Sequence, residues 1–323
     1  MQRLPRPSLH ILVATLFVLL TVPAGLAAPI AGSDAGLAAA IPGLEKAIKD
    51  SGAEVAVAFQ TLDGQLQWFV NPDQSFHAAS TMKVAVMIEL FHQVQQGKAR
   101  LEEPLLVRNE FKSLADGSPF SLDPGDDSEK ELYQAVGTTR TLRELNELMI
   151  SVSSNLATNL LMDRLGIANI RAGVARLNAS GLEVVRDLED GKAFEQGRNN
   201  TTTARALLVL MQAIADGRAV DRASSAQMAA VLERHSYNDD ILAGLPPGTR
   251  VGHKAGEITK IRHDAAIVYA PRPYVLIVLT RGLADGAQAA ALIAAISRQL
   301  YAATQPQAAT APATADSLPS RTH

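Results

Sequence analysis

The sequence contains no cysteine in its 323 residues, which removes disulfides, thiolate metal sites and cysteine nucleophiles together. Stability must come from the core alone. A basic excess is missing too: the formal net charge is -3, so there is no broad positive field for nucleic acid. No block of like charge is long enough to suggest an electrostatic tail. The seven histidines include no H-E-x-x-H pair, which leaves a zinc hydrolase of that type without support. His235 and His263 read as ordinary polar residues, and no metal-ligand cluster is visible.

What the chain does have is apolar residues. At 47% hydrophobic content it can bury a substantial core in one large domain or two intimate ones. The N-terminus reads as an address: Arg3 and Arg6 precede the apolar stretch 11–22, and small residues follow in "PAGLAAP". That stretch is short of the roughly 20 residues a spanning helix needs. The expectation is a signal peptide over 1–27, cut after Ala27 or, alternatively, after Ala28. It implies export to the periplasm or the medium, with no membrane anchor left. No cysteine follows the cut to carry a lipid. The Ala-, Pro-, Thr- and Ser-rich end, 304–323, reads as a disordered tail. The folded domain is expected over 28–303.

Within that domain, "EVAVAFQTLDGQLQWFV" alternates apolar residues around Asp63-Gly64, a β-hairpin pattern that predicts strands at the start of the mature chain. "HDAAIVYAPRPYVLIVLT" predicts two more near the end, followed by an Ala-rich terminal helix. Between them, "TLRELNELMISVSSNLATNLLMDRLG" and "TTTARALLVLMQAIADG" have helical spacing and end at candidate glycine C-caps. The order predicts an α+β fold. Both chain ends form an antiparallel sheet, helices pack on it, and an all-helical lobe is inserted. A cleft between sheet and lobe is the natural site.

"FHAASTMKVAVMIELF" places Ser80 and Lys83 one turn apart at the head of an apolar helical run. A serine hydroxyl is a poor nucleophile until a base takes its proton. A desolvated lysine with a lowered pKa can do so, directly or through water. A lone S-x-x-K match is equally compatible with an N-cap serine and a surface lysine. The rest of the constellation decides the matter: Ser153-Ser154-Asn155 stands before "LATNLLMDRLG", and Lys254-Ala255-Gly256 stands before the strand near His263. S-x-x-K, S-D-N and K-T-G in this order mark the penicillin-recognising serine enzymes.

Over nearly all of its exported domain the chain resembles class A β-lactamases, on "HAASTMK", "MISVSSNLATNLL" and "VGHKAG", with "NNTTTARAL" between the last two. Ser80/Lys83 is the only S-x-x-K pair and Lys254/Gly256 the only K-x-G pair. A second Ser-x-Asn, Ser236-Tyr237-Asn238, lies too close to the third motif to serve as the second. The resemblance implies that Ser80 attacks the lactam carbonyl and that Lys83 takes part in proton removal. Ser153 would relay a proton to the departing nitrogen, and Asn155 would hold the substrate's amide side chain. Lys254 and Gly256 would form the third motif, the lysine lending positive charge beside a substrate carboxylate. The backbone N–H groups of Ser80 and Glu257 would make the oxyanion hole. No cofactor or metal is implied; the partner is a small β-lactam or related acyl substrate, and a monomer is expected.

Departures from the family pattern carry their own expectations. Ser154 replaces an aspartate, which removes a charge, and Ala255 replaces a hydroxyl residue that would bind the substrate carboxylate. Arg262 or His263 is the candidate to compensate. The E-x-x-L-N signature of the deacylating glutamate is absent; in "VVRDLEDGKAFEQGRNNTTTA" both Glu189 and Glu195 are available, and the sequence leaves the choice open. The long segment 109–139 reads as loop that narrows the cleft, offers Phe120 or Tyr133 to it, or is a surface elaboration. The functional expectation is an exported serine β-lactamase acting in β-lactam catabolism and resistance. A peptidase or esterase on cell-wall-derived acyl groups, or a sensor that stays acylated, is the alternative.

Overall fold

The structure, a computed structural model, describes residues 33–305. The expected signal segment, 1–27, and the tail beyond Gln305 lie outside the described residues. A helix the sequence pattern concealed comes first, α1 (Ser33–Ser51). Pro42 interrupts its pattern, yet Leu37 and Leu44 are buried among residues of the terminal helix. The expectation that strands open the domain is corrected accordingly. Tertiary burial of one apolar stripe outweighs a single unfavourable residue.

The hairpin follows as expected: β1 (Glu54–Thr61) and β2 (Gln67–Val70), with Gly64 at φ +70° in the turn. The chain then leaves the sheet through β3 (Phe76–His77) and a 3₁₀ turn, Ala79–Met82, that runs into α2 (Lys83–Gln95). Next come β4 (Pro104–Leu106), β5 (Phe111–Lys112), β6 (Pro119–Phe120), α3 (Glu131–Gln134) and β7 (Thr139–Thr141). The expected helical stretch divides into α4 (Leu142–Ser151) and α5 (Asn155–Leu165). A Thr141/Glu144 capping box opens the first, and Gly166 at φ +84° ends the second.

After these, α6 (Ile167–Arg176), α7 (Gly191–Glu195), β8 (Thr201–Thr202), α8 (Ala204–Ala215) and α9 (Arg222–Leu232) complete the insertion. The chain returns as β9 (Arg250–Ile258), β10 (Ile261–Tyr269) and β11 (Tyr274–Arg281), and α10 (Gly286–Thr304) closes it. Both ends build one antiparallel five-stranded sheet in the order β2-β1-β11-β10-β9. The insertion is helical apart from three short ribbons, β3–β8, β4–β7 and β5–β6.

Two cores follow from the period of the strands. Val55, Val57 and Phe59 of β1 pack with α1 and α10, whereas Ala56 and Ala58 face the helices of the insertion. Such a strand is buried on both faces and reads as a nearly continuous apolar run. β9 is left at the edge of the sheet. Its free side faces the turn that carries Ser80.

Candidate active site

Glycine at position 256 lets β9 approach that turn closely. A Cβ there would lie 2.8 Å from the Ser80 backbone nitrogen, closer than real Cβ atoms come. Ser80 sits half-buried in the turn leading into α2, and Ala79 before it holds φ +46°. Together with Ser153, Asn155, Ala255, Gly256, Glu257 and Arg262 it lines a cleft of about 290 Å³.

The N–H directions along β9 can be worked out from one contact. Ala255 donates its N–H to Nε2 of His235 at 3.1 Å, so that N–H points away from β10. Successive N–H groups of a strand alternate sides. Glu257, two residues on, therefore directs its N–H from the same free edge, where Ser80 packs. His235 is held neutral by burial, with the Lys254 charge adding to the effect, and its Nδ1 meets the Ile150 carbonyl at 2.8 Å.

Lys83, the first residue of α2, is fully buried. Its ammonium donates to the Ser153 carbonyl at 2.7 Å, to Asn155 Oδ1 at 2.9 Å and to Ser153 Oγ at 3.2 Å. Burial pulls its pKa down to about 7, opposed by the carboxylates of Asp127 and Glu189. Lys254, also fully buried, donates to Ser153 Oγ at 3.1 Å and to the Ala255 carbonyl at 2.7 Å. Its pKa is lowered by burial first and by Lys83 second. The Ser153 hydroxyl thus stands between two lysines, on a residue held at φ +63°.

The two candidate glutamates part company. Glu189 accepts from Asn155 Nδ2 at 2.9 Å, so Asn155 joins it to Lys83 through opposite ends of one amide. Burial raises its pKa, against the hydrogen bonds from Asn155 and the Asp123 backbone that lower it. It also holds φ +63°, a backbone strain of the kind that clusters at functional sites. Glu195 is exposed at the end of α7. The structure brings only Glu189 to the group.

The charge missing from Ser154 is supplied by another part of the chain. Asp127 Oδ2, from the long loop, accepts from the N–H groups of Asn155 and Leu156 at 2.9 Å each and from the Tyr133 hydroxyl at 2.9 Å. Ser154 caps the same helix by accepting from the Ala157 N–H at 3.2 Å. A carboxylate at a helix N-terminus satisfies orphan donors and complements the dipole. Sequence reasoning missed Asp127, because a partner 27 residues before Ser154 leaves no local pattern. The same loop puts Asp126 and Ser128 on the cleft lining. Phe120 packs instead on Phe111, and Tyr133 serves Asp127.

Of the two candidates to replace the Ala255 hydroxyl, His263 is excluded by position. It is fully buried, donating from Nε2 to the His77 carbonyl at 2.9 Å and accepting the Thr280 N–H at Nδ1 at 3.1 Å, and burial pulls its pKa down to about 4. Arg262 does line the cleft. Its guanidinium is paired with Asp240 at 2.6 Å and with Glu257 at 3.0 Å. Asp240 is another residue the sequence pattern did not single out.

A paired-lysine serine pocket on a sheet flanked by helices defines a class of proteins, and comparison with known proteins gives the same class. The profile of the "Beta-lactamase enzyme family" matches residues 39–304, and the chain belongs to that family. The β-lactamase of Sphaerobacter thermophilus superposes with a TM-score of 0.70 at 28% identity, covering 84% of this chain and 97% of that one. A variant of the last common ancestor of Gram-negative class A β-lactamases superposes with a TM-score of 0.68 at 26% identity, covering 81% and 97%. The structure of PBP-A superposes with a TM-score of 0.69 at 26% identity, covering 80% and 94%.

Proposed function

We propose that this protein is an exported class A-like serine β-lactamase that opens the lactam ring through an acyl-enzyme on Ser80 and so contributes to β-lactam catabolism and resistance. The observation that carries the proposal is the Ser153 hydroxyl held between Lys83 and Lys254, beside the Ser80 turn. Lys83, with its pKa drawn down to about 7, has a substantial free-base fraction at neutral pH and takes the Ser80 proton, directly or through water. The hydroxyl oxygen attacks the lactam carbonyl, and the developing oxyanion is met by the N–H groups of Ser80 and Glu257. As the C–N bond breaks, Ser153 passes a proton to the nitrogen and is resupplied from the lysines on either side of it. Asn155 holds the substrate's amide side chain.

Glu189 then activates water to release the acyl group. Its bond to Asn155 supports that reading, and its upward-shifted pKa makes it a stronger base once ionised. The test is loss of lactam absorbance with purified mature protein. Turnover that disappears in Ser80→Ala supports the assignment, and equal rates in both proteins contradict it.

A second reading draws on the likeness to PBP-A. A protein of this fold that acylates and stays acylated acts as a binder or sensor, and a Glu189 that fails to activate water would leave it in that state. Activity on peptides or simple esters, with no lactam reaction, would point to the peptidase or esterase alternative.

A further inference from the structure

The cleft has an unusual charge arrangement at its rim. Its lining carries three carboxylates, Asp126, Asp240 and Glu257, and one cation, Arg262; Lys83 and Lys254 lie buried beneath. Arg262 is therefore the cation that an anionic substrate group meets at the rim. That guanidinium is already engaged on both sides. Asp240, 1% exposed, holds Nε at 2.6 Å from the inside, and Glu257, 56% exposed, holds NH1 at 3.0 Å from the solvent side.

The outer contact is a built one. Glu257 and Arg262 are opposite each other in the β9–β10 register, so both side chains stand on one face of the sheet. The other carboxylate oxygen of Glu257 rests against the first residue of α10, where a Cβ on Gly286 would lie 2.7 Å from Oε1. Ala255 offers no hydroxyl, and the buried Lys254 is engaged with Ser153 Oγ and the Ala255 carbonyl, which leaves Arg262 as the cation at the rim.

We propose that the Glu257 carboxylate is an intramolecular competitor for Arg262, and that it makes the site select against substrates with a carboxylate next to the scissile amide. The inference rests on the β-lactamase function proposed above. Its consequence is a site that favours acyl substrates in which this group is neutral or esterified. An incoming carboxylate must displace Glu257 into solvent and tolerate its charge nearby.

The experiment compares a penicillin with its own carboxyl methyl ester, which share the reacting ring and differ in one charge. The quantity read is the ratio of kcat/KM for acid over ester, in wild type, Glu257→Gln and Asp126→Asn. Glu257→Gln keeps the backbone donor and the shape, and its ratio is expected to rise by about five- to tenfold, mainly through KM for the acid. Asp126→Asn, which removes the same charge from the rim without touching Arg262, is expected to change the ratio by less than about twofold. An unchanged ratio in Glu257→Gln, or an equal rise in both variants, overturns the proposal while leaving the lactamase assignment intact. Absence of any reaction with acid and ester alike, in wild type and variants, overturns both.

Discussion

Asp127 reaches from the loop before α3 to the first turn of α5, where its carboxylate accepts the N–H groups of Asn155 and Leu156 at 2.9 Å each. One residue of a distant loop thereby takes over a task that the family pattern gives to the middle of the second motif. The segment 109–139 is tied again to Glu189 through the Asp123 N–H at 3.3 Å.

Replacing Asp127 by Ala leaves two helix-start donors and the Tyr133 hydroxyl without their buried partner. The expected loss of stability is about 2 to 4 kcal/mol, as for removal of a charged acceptor shared by several donors. Urea unfolding monitored by far-UV circular dichroism reads this out. Ser154→Asp in the Asp127→Ala background should recover part of the loss, because it returns a carboxylate to the same helix end. No recovery would mean that the loop anchorage matters more than the charge.

Lys83 makes the site sensitive to pH in a defined direction. Its folded value of about 7 lies below the roughly 10.4 of a free lysine. The free base grows as pH rises through 7, so acylation rates measured by stopped flow should climb through that region and level off above it. Stability moves the same way: between the two values the unfolded chain binds the extra proton, so this group's contribution rises with pH and is poorest below about 7. Lys83→Met should abolish acylation and flatten that part of the stability profile.

Glu189 and Glu195 were equally open candidates on sequence, and kinetics separates them. Glu189→Gln should slow deacylation by about a hundredfold or more while leaving the acyl-enzyme to form. Glu195→Gln, on the exposed end of α7, should turn over like wild type. Accumulation of adduct in the second variant and not in the first would reverse the assignment.

Much of this was legible in the sequence for local reasons. The period of β1, β10 and β11, the glycine ends of α5 and α8, and the three motif segments are all patterns over a few residues. What escaped was non-local or disguised. Pro42 hid α1, and Asp127 and Asp240 act on residues far along the chain. His235 fixes Ala255 through a bond spanning 20 residues. The choice between Glu189 and Glu195 depended on which way a strained loop residue points, and no spacing rule carries that information.

Gly256→Ala tests the close approach of β9 to the Ser80 turn. The added methyl must push the two backbones apart from a 2.8 Å contact, at a cost of about 1 to 3 kcal/mol if the fold absorbs it. Acylation should fall by more than the drop in melting temperature explains, because Glu257 moves away from Ser80 with the strand. Equal acylation at reduced stability would place the oxyanion donors elsewhere.

That Ser80 carries the acyl group is tested most directly by intact-protein mass spectrometry of the purified protein mixed with a penicillin. A mass increase of one whole penicillin is expected in wild type, transient because Glu189 clears it, persistent in Glu189→Gln and absent in Ser80→Ala. A folded wild-type protein that gains no mass and leaves the lactam intact, or an adduct that survives in Ser80→Ala, would contradict it.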